Sequence, residues 1–281
     1  MEPFQPLHVL LIGQLNNFHH VLFTNIQHWG YDVRCCSFDA LWQEETPDTL
    51  ATWRADVLLY DLDDVVDISS IHTSEHVLPT PKDRNQFLVA LSSRSISRRT
   101  LEHIGAVALL QKPFEMGRLS RYLYVLQQLL YPHPVQAQNE GSKNQERLRI
   151  LVVDDDVNIA SVIRQCLIVD VEAMFDVAVA HDGLDALEQC LSWQPHCIVT
   201  DLIMPLMNGY QVMRCLALGA ARFTPTFVIM SALTQVDAGI DASYVASQTV
   251  AYVNKPFRFE QLLAAIEQVC LIHHSSTNAL C

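Results

Sequence analysis

Asp154, Asp155 and Asp156 stand in a row directly after one apolar run, Asp201 closes a second, Ser231 closes a third, and Lys255 follows a fourth. Carboxylates gathered in one crevice repel each other, and the arrangement makes physical sense when a cation sits among them. Hard oxygen ligands that leave room for water and a phosphate oxygen favour Mg²⁺. In that setting Asp201 could attack phosphorus as a nucleophile and become an aspartyl phosphate. Lys255 could pair with one phosphoryl oxygen while the Ser231 hydroxyl donates to another. The Asp154–Asp155 pair and Lys255 have no comfortable structural explanation, because unpaired acids beside the end of a buried strand are costly. Asp156 reads as an acid at a helix start rather than a ligand, since anions suit a helix amino terminus. Ser231 taken alone could also be a strand-end hydroxyl bonded to the backbone.

These residues have to be carried to one place by the elements around them. Apolar runs near 149–153, 175–179, 197–200, 226–230 and 250–253 read as strands, alternating with helix-period segments near 157–168, 183–192, 209–218, 235–246 and 258–272. The strands are nearly continuous in Val, Ile, Leu and Met, as expected where helices cover both faces of a parallel sheet. The pattern predicts an α/β, flavodoxin-like (βα)5 doubly wound sheet, with its ligand crevice at the carboxyl ends of the strands.

The same pattern occurs twice. His8–Gln14 aligns with Arg149–Asp155, Ala55–Asp61 with Pro195–Asp201, Phe87–Ser92 with Thr226–Ser231, and Ala106–Phe114 with Thr249–Phe257. Two domains in tandem are therefore expected, 1–131 and 148–281, with the polar, Pro- and Gly-punctuated stretch 132–147 as a surface linker. The first copy departs where the chemistry sits. Gly13 and Gln14 replace the acidic pair, whereas Asp61, Ser92 and Lys112-Pro113 remain. Asp61 and Lys112 are expected to form a plain ion pair, and the loop geometry of this fold does not obviously aim Asp63 or Asp64 at the site. Pro79 and Pro81 predict a short or irregular helix within 65–85. Arg94, Arg98 and Arg99 form a local basic cluster, read as a solvated helix face.

At Ile150–Asp156, Asp182-Gly183, Asp201–Gly209, Ser231-Ala232 and Lys255-Pro256-Phe257 the second half resembles the receiver domains of two-component response regulators. The five fragments occur in order, with thirty positions from Asp201 to Ser231 and fifty-four to Lys255. The resemblance implies Asp201 as phosphoacceptor, Lys255 and Ser231 as its catalytic partners, and Asp154, Asp155, Asp201 and the Ile203 main-chain carbonyl as ligands of Mg²⁺. It also implies a cis Lys255-Pro256 bond. Tyr252 falls at the aromatic position that, with Ser231, changes with the state of the switch; plain packing explains Tyr252 equally. The first half resembles the same family as a pseudo-receiver, with Leu109 in place of the aromatic.

The implied partners are a sensor histidine kinase or phosphotransfer protein and a downstream protein. A formal net charge of −13 makes the chain a poor electrostatic match for nucleic acid or anionic lipid. No apolar run approaches the ~20 residues that span a bilayer, so a cytoplasmic protein without membrane insertion is expected. The cysteines lie in apolar runs without metal-type spacing and are expected as reduced thiols. A two-fold dimer is the default assembly. No DNA-binding module or enzymatic output motif follows the last helix, which predicts output through protein–protein contacts. The rival reading is a receiver input region of a larger regulator, such as a diguanylate cyclase or hybrid histidine kinase. A phosphatase of the haloacid dehalogenase type needs a general-acid Asp two positions past the nucleophile, and Ile203 stands there.

Overall fold

A computed structural model describes residues 5–37, 54–65, 86–132, 147–169, 175–219, 223–232 and 250–277. The helix expected near 235–246, nearly all of the short or irregular helix expected within 65–85, and most of the expected linker lie outside the described residues. The chain divides into two units, each built on its own five-stranded parallel sheet.

In the first unit, β1 (His8–Ile12), β2 (Asp32–Cys36), β3 (Val57–Asp61), β4 (Phe87–Ser92) and β5 (Ala106–Gln111) lie in the order β2-β1-β3-β4-β5. The described helices are α1 (Asn17–His28), α2 (Arg98–His103) and α3 (Met116–Leu130), and one 3-10 turn, Leu62–Asp64, follows β3. In the second unit, β6 (Leu148–Val153), β7 (Phe175–Ala180), β8 (Cys197–Asp201), β9 (Thr226–Ser231) and β10 (Val250–Asn254) repeat that order as β7-β6-β8-β9-β10. Its described helices are α4 (Val157–Val169), α5 (Gly183–Trp193), α6 (Gly209–Leu218) and α7 (Phe259–Thr277). This is the flavodoxin-like doubly wound topology in both units, and the limits of the described elements of the second half agree with expectation to about one residue, except that α7 ends at Thr277, past the expected 272.

The continuous apolar strands are buried on both faces. Ile150, Val152, Val199, Val228 and Met230 pack in one cluster with Ile163 and Leu167 of α4 and Leu262 and Ile266 of α7. The intervening Leu151, Val153, Ile198, Phe227 and Ile229 point to the other face by the two-residue period of a strand, and they are also buried. Each such side chain contributes about 1.5–3 kcal/mol by leaving water. Cys36, Cys190, Cys197, Cys215 and Cys270 share this burial, Cys35 and Cys166 are half-buried, and all seven described cysteines are free. Burial pushes the Cys36 and Cys215 thiols up to about 12, so they are protonated, unreactive core groups. No described helix is long and apolar enough to cross a membrane.

The strand order reverses direction between β6 and β8, and helix starts are built tightly around that point. Asp182, which the sequence pattern singles out, caps α5 by accepting the Asp185 N–H at 2.8 Å. Asn208 and Gln211 cap α6 reciprocally: each side-chain oxygen accepts the other's main-chain N–H at 2.9 Å. Between them Gly209 has no room for a side chain, because a Cβ would lie 2.6 Å from the Asp201 carbonyl oxygen and 2.6 Å from Thr200 Oγ1. Gly209→Ala should therefore push α6 away from the end of β8 and destabilise the fold by about 1–3 kcal/mol, read from the midpoint of denaturant unfolding. A Gly209→Ala protein as stable as the wild type would show that this close approach is not needed.

Candidate functional site

Parallel strands deliver their carboxyl ends to one edge. Asp154 follows β6, Asp201 ends β8, Ser231 ends β9 and Lys255 follows β10. Adjacent strands are about 4.8 Å apart, so Lys255 starts two strand spacings from Asp201 and needs its four-carbon stem to reach back. It does reach. Its Nζ donates to Asp201 Oδ2 at 2.7 Å and to Asp154 Oδ2 at 3.1 Å.

The environments of the three groups differ. Asp154 is almost wholly buried, at 1% of its accessible surface, and burial, helped by the Asp201 charge, raises its carboxyl above the usual range despite Lys255 and the Asp156 N–H. Burial draws the Lys255 ammonium down, but its hydrogen bonds and charge pairing with Asp201 and then Asp154 outweigh this and hold it above its ordinary value. Asp201 is only partly buried, and its other oxygen, Oδ1, accepts the Ile203 N–H at 3.1 Å. Asp155 is exposed. The carboxylate oxygens of Asp154, Asp155 and Asp201 approach within 4.8 Å of one another, an all-oxygen donor set that fits a hard divalent cation with open positions.

Asp156 is a helix-start acid, as the sequence suggests: its Oδ1 accepts the Asn158 N–H at 2.8 Å at the head of α4. Ser231 is buried at the end of β9, and its carbonyl accepts the Lys255 N–H at 2.7 Å, which ties the two strand ends together. Tyr252 is half-buried on β10 opposite Ile229, and burial together with the nearby Tyr210 raises its phenol. The Ile203 side chain is 52% exposed beside Asp201. The Lys255-Pro256 and Lys112-Pro113 peptide bonds are both cis.

In the first unit Lys112 binds Asp61 as expected, with Nζ 2.6 Å from each carboxylate oxygen. The expectation for the neighbouring acids is corrected. Asp63 lies 3.2 Å from Lys112 Nζ and accepts from Ser92 Oγ at 2.8 Å and from the Ser93 N–H. Asp64 accepts the Gln14 N–H at 2.7 Å. The 3-10 turn after β3, closed by Asp61 accepting the Asp63 N–H, rotates both side chains back over the strand ends. Arg94 and Arg99 are exposed, as expected of a solvated face, but Arg94 lies ahead of α2 and also donates to the Leu62 and Val65 carbonyls of that turn, while Arg98 pairs with Glu102 at 2.6 Å. Sequence reasoning missed His19, whose buried ring lies 3.2 Å from Asp61 Oδ2. The signal that could have found it is Gly13, a residue without a side chain where the second half has Asp154.

With the fold and site in view, comparison with known proteins is direct. Residues 150–267 match the family model of the response regulator receiver domain. Response regulator MprA of Mycobacterium tuberculosis is 35% identical over 119 residues, which is 42% of this chain and 48% of that protein. Protein-glutamate methylesterase/protein-glutamine glutaminase 5 of Myxococcus xanthus is 38% identical over 109 residues, 39% of this chain and 30% of that protein. The chain thus spans less than half the length of these curated relatives. Among solved structures, a response regulator signal receiver domain from Bermanella marisrubri is 31% identical, with a TM-score of 0.39, covering 44% of this chain and 98% of that one. Residues 150–267 are thus similar to the response regulator receiver domain, a family for which phosphorylation and Mg²⁺ binding at an acidic pocket are general properties.

Breaking the first unit's ion pair isolates the cost of its charges. Lys112→Met leaves the buried Asp61 beside Asp63 and Asp64 without their ammonium and should cost about 3–5 kcal/mol, measured by denaturant unfolding at neutral pH. A loss under 1 kcal/mol would show that the acids do not depend on this ammonium.

Proposed function

We propose that the chain is a phosphorelay response regulator, phosphorylated on Asp201 by a histidine kinase or a phosphotransfer protein, and that it signals through protein–protein contacts. The observation that carries this reading is Lys255 bridging Asp154 and Asp201, with the exposed Asp155 beside them. Asp201 keeps Oδ1 free of the ammonium at an open strand edge, whereas Lys112 in the first unit contacts both oxygens of Asp61. An Asp201 carboxylate oxygen forms the new bond to phosphorus while the bond to the donor's imidazole nitrogen breaks and the electron pair returns to that ring. Lys255 is positioned to move from Asp154 to a phosphoryl oxygen, and the Ser231 hydroxyl to donate to another. Asp154, Asp155, Asp201 and the Ile203 carbonyl would hold Mg²⁺, which when bound neutralises charge between the carboxylates and the phosphoryl oxygens. Ser231 and Tyr252 are the residues through which the modified state would be read.

In this reading residues 148–281 are the active receiver, 132–147 a linker and 1–131 a pseudo-receiver kept for binding. Lys112 occupies both oxygens of Asp61 there, which supports an inert first half. A second reading, a receiver input region of a larger regulator, is favoured by the greater length of the curated relatives. Neither reading assigns an enzymatic activity on an external substrate to this chain.

Incubation with Mg²⁺ and acetyl phosphate should add one phosphoryl group by intact-mass analysis, and Asp201→Asn should abolish it. Two additions, or one that survives Asp201→Asn, would overturn the division into an active and an inert half. Asp155→Asn preserves shape but removes a charge from the metal position, so Mg²⁺ affinity, followed by calorimetry, should fall by about tenfold or more. If affinity fell instead on Asp63→Asn, the metal would have been assigned to the wrong half.

A further inference from the structure

His19, on the first turn of α1, is almost wholly buried at 1% exposure. Its two ring nitrogens have different surroundings. Nδ1 lies 3.0 Å from Asn16 Oδ1, an oxygen that also accepts the His19 main-chain N–H at 3.1 Å as the α1 cap. That oxygen is an acceptor, so Nδ1 carries the hydrogen, and the neutral ring presents the lone pair of Nε2. Nε2 has no hydrogen-bond partner. It faces two carboxylate oxygens, Asp61 Oδ2 at 3.2 Å and Asp64 Oδ2 at 3.9 Å, without the alignment for a hydrogen bond to either. A buried lone pair set against two carboxylates is repulsive unless a positive charge lies between them.

Gly13 keeps that space open. A Cβ there would lie 2.5 Å from His19 Nε2, 2.7 Å from Asp64 Oδ2 and 2.9 Å from Asp61 Cβ. The three donor atoms lie within 4.8 Å of one another. Bonds of about 2.0–2.2 Å to a tetrahedral ion place donors about 3.3–3.6 Å apart, and the two carboxylate oxygens lie 3.2 and 3.9 Å from His19 Nε2, on either side of that range. Lys112 can keep Asp61 Oδ1 and Asp63 while Asp61 Oδ2 turns to the ion. The Asn16 contact is the outer hydrogen bond that fixes tautomer and ring orientation in histidine metal ligands.

From this geometry we propose that His19 Nε2, Asp61 and Asp64 form a divalent transition-metal site of the Zn²⁺ class in the first unit. One imidazole and two carboxylates suit such an ion better than Mg²⁺, which the all-oxygen set of the second unit suits. The first unit then did not lose a cation site when Gly13 and Gln14 took the acidic-pair positions; it holds one of different chemistry. This assignment does not depend on phosphorylation of Asp201.

The full chain carrying Asp155→Asn, which weakens the second unit's acidic set, is dialysed against Zn²⁺ and the bound metal counted. One strong site per chain is expected, lost on adding His19→Gln or Asp64→Asn and kept on adding His20→Gln at the exposed neighbour. Asn16→Ala should weaken it by about tenfold to hundredfold. Because a buried substitution can unfold the protein, the wild type is also followed by nitrogen NMR: Zn²⁺ should shift the His19 Nε2 resonance, and Mg²⁺ should leave it in place. No Zn²⁺-dependent shift at His19, or uptake unchanged by His19→Gln in folded protein, would overturn the site.

Discussion

The lysine that follows the last strand of each sheet holds together carboxylates that would otherwise repel one another across the strand ends. Lys255 does this for Asp154 and Asp201, Lys112 for Asp61 and Asp63. Removal from water makes the repulsion stronger and the compensation more valuable, since charges interact more strongly where the effective dielectric is low. Strand order, cap geometry and glycine placement then follow as conditions on that edge. The acids and the lysine sit on strands separated by β4 or β9, and only a parallel sheet brings all these ends to one side.

The two units share this frame and differ in where the extra negative charge enters. In the second it comes directly after β6, so Asp154 is buried beneath the site and Asp155 lies exposed at its mouth. In the first it comes after β3, through the 3-10 turn that carries Asp63 and Asp64. Moving the acids from one loop to the other required space, which Gly13 provides, and a clamp on the turn, which Arg94 provides by binding the Leu62 and Val65 carbonyls. Asp63 is consequently held firmly: burial would raise its carboxyl, but hydrogen bonds from Ser92, Ser93 and Lys112 outweigh it and pull the carboxyl down to about 2. An ionised Asp63 held by Ser92, Ser93 and Lys112 is a structural anchor, whereas the partly exposed Asp201 is held by one ammonium and one main-chain N–H.

The strands and the described helices of the second half, the tandem repeat, and the edge where Asp154, Asp201 and Lys255 meet were legible in the amino-acid sequence. Their signals are local: continuous apolar runs mark two-sided burial, and turn residues mark where a strand must stop. Asp182 and Asp156 were legible as sequence marks, and the structure identifies both as helix caps, because a side chain at such a position meets free N–H groups whatever the rest of the fold does. The Asp61–Lys112 pair could likewise be inferred, since the strands that carry it are fixed by pattern. Spacing along the chain could not say where Asp63, Asp64 and Arg94 point, because a three-residue turn aims its side chains according to what packs against it. His19 was equally silent: one turn into a helix, its direction is set by α1 lying against the sheet and by the room that Gly13 leaves, and both are decided only when the chain is folded.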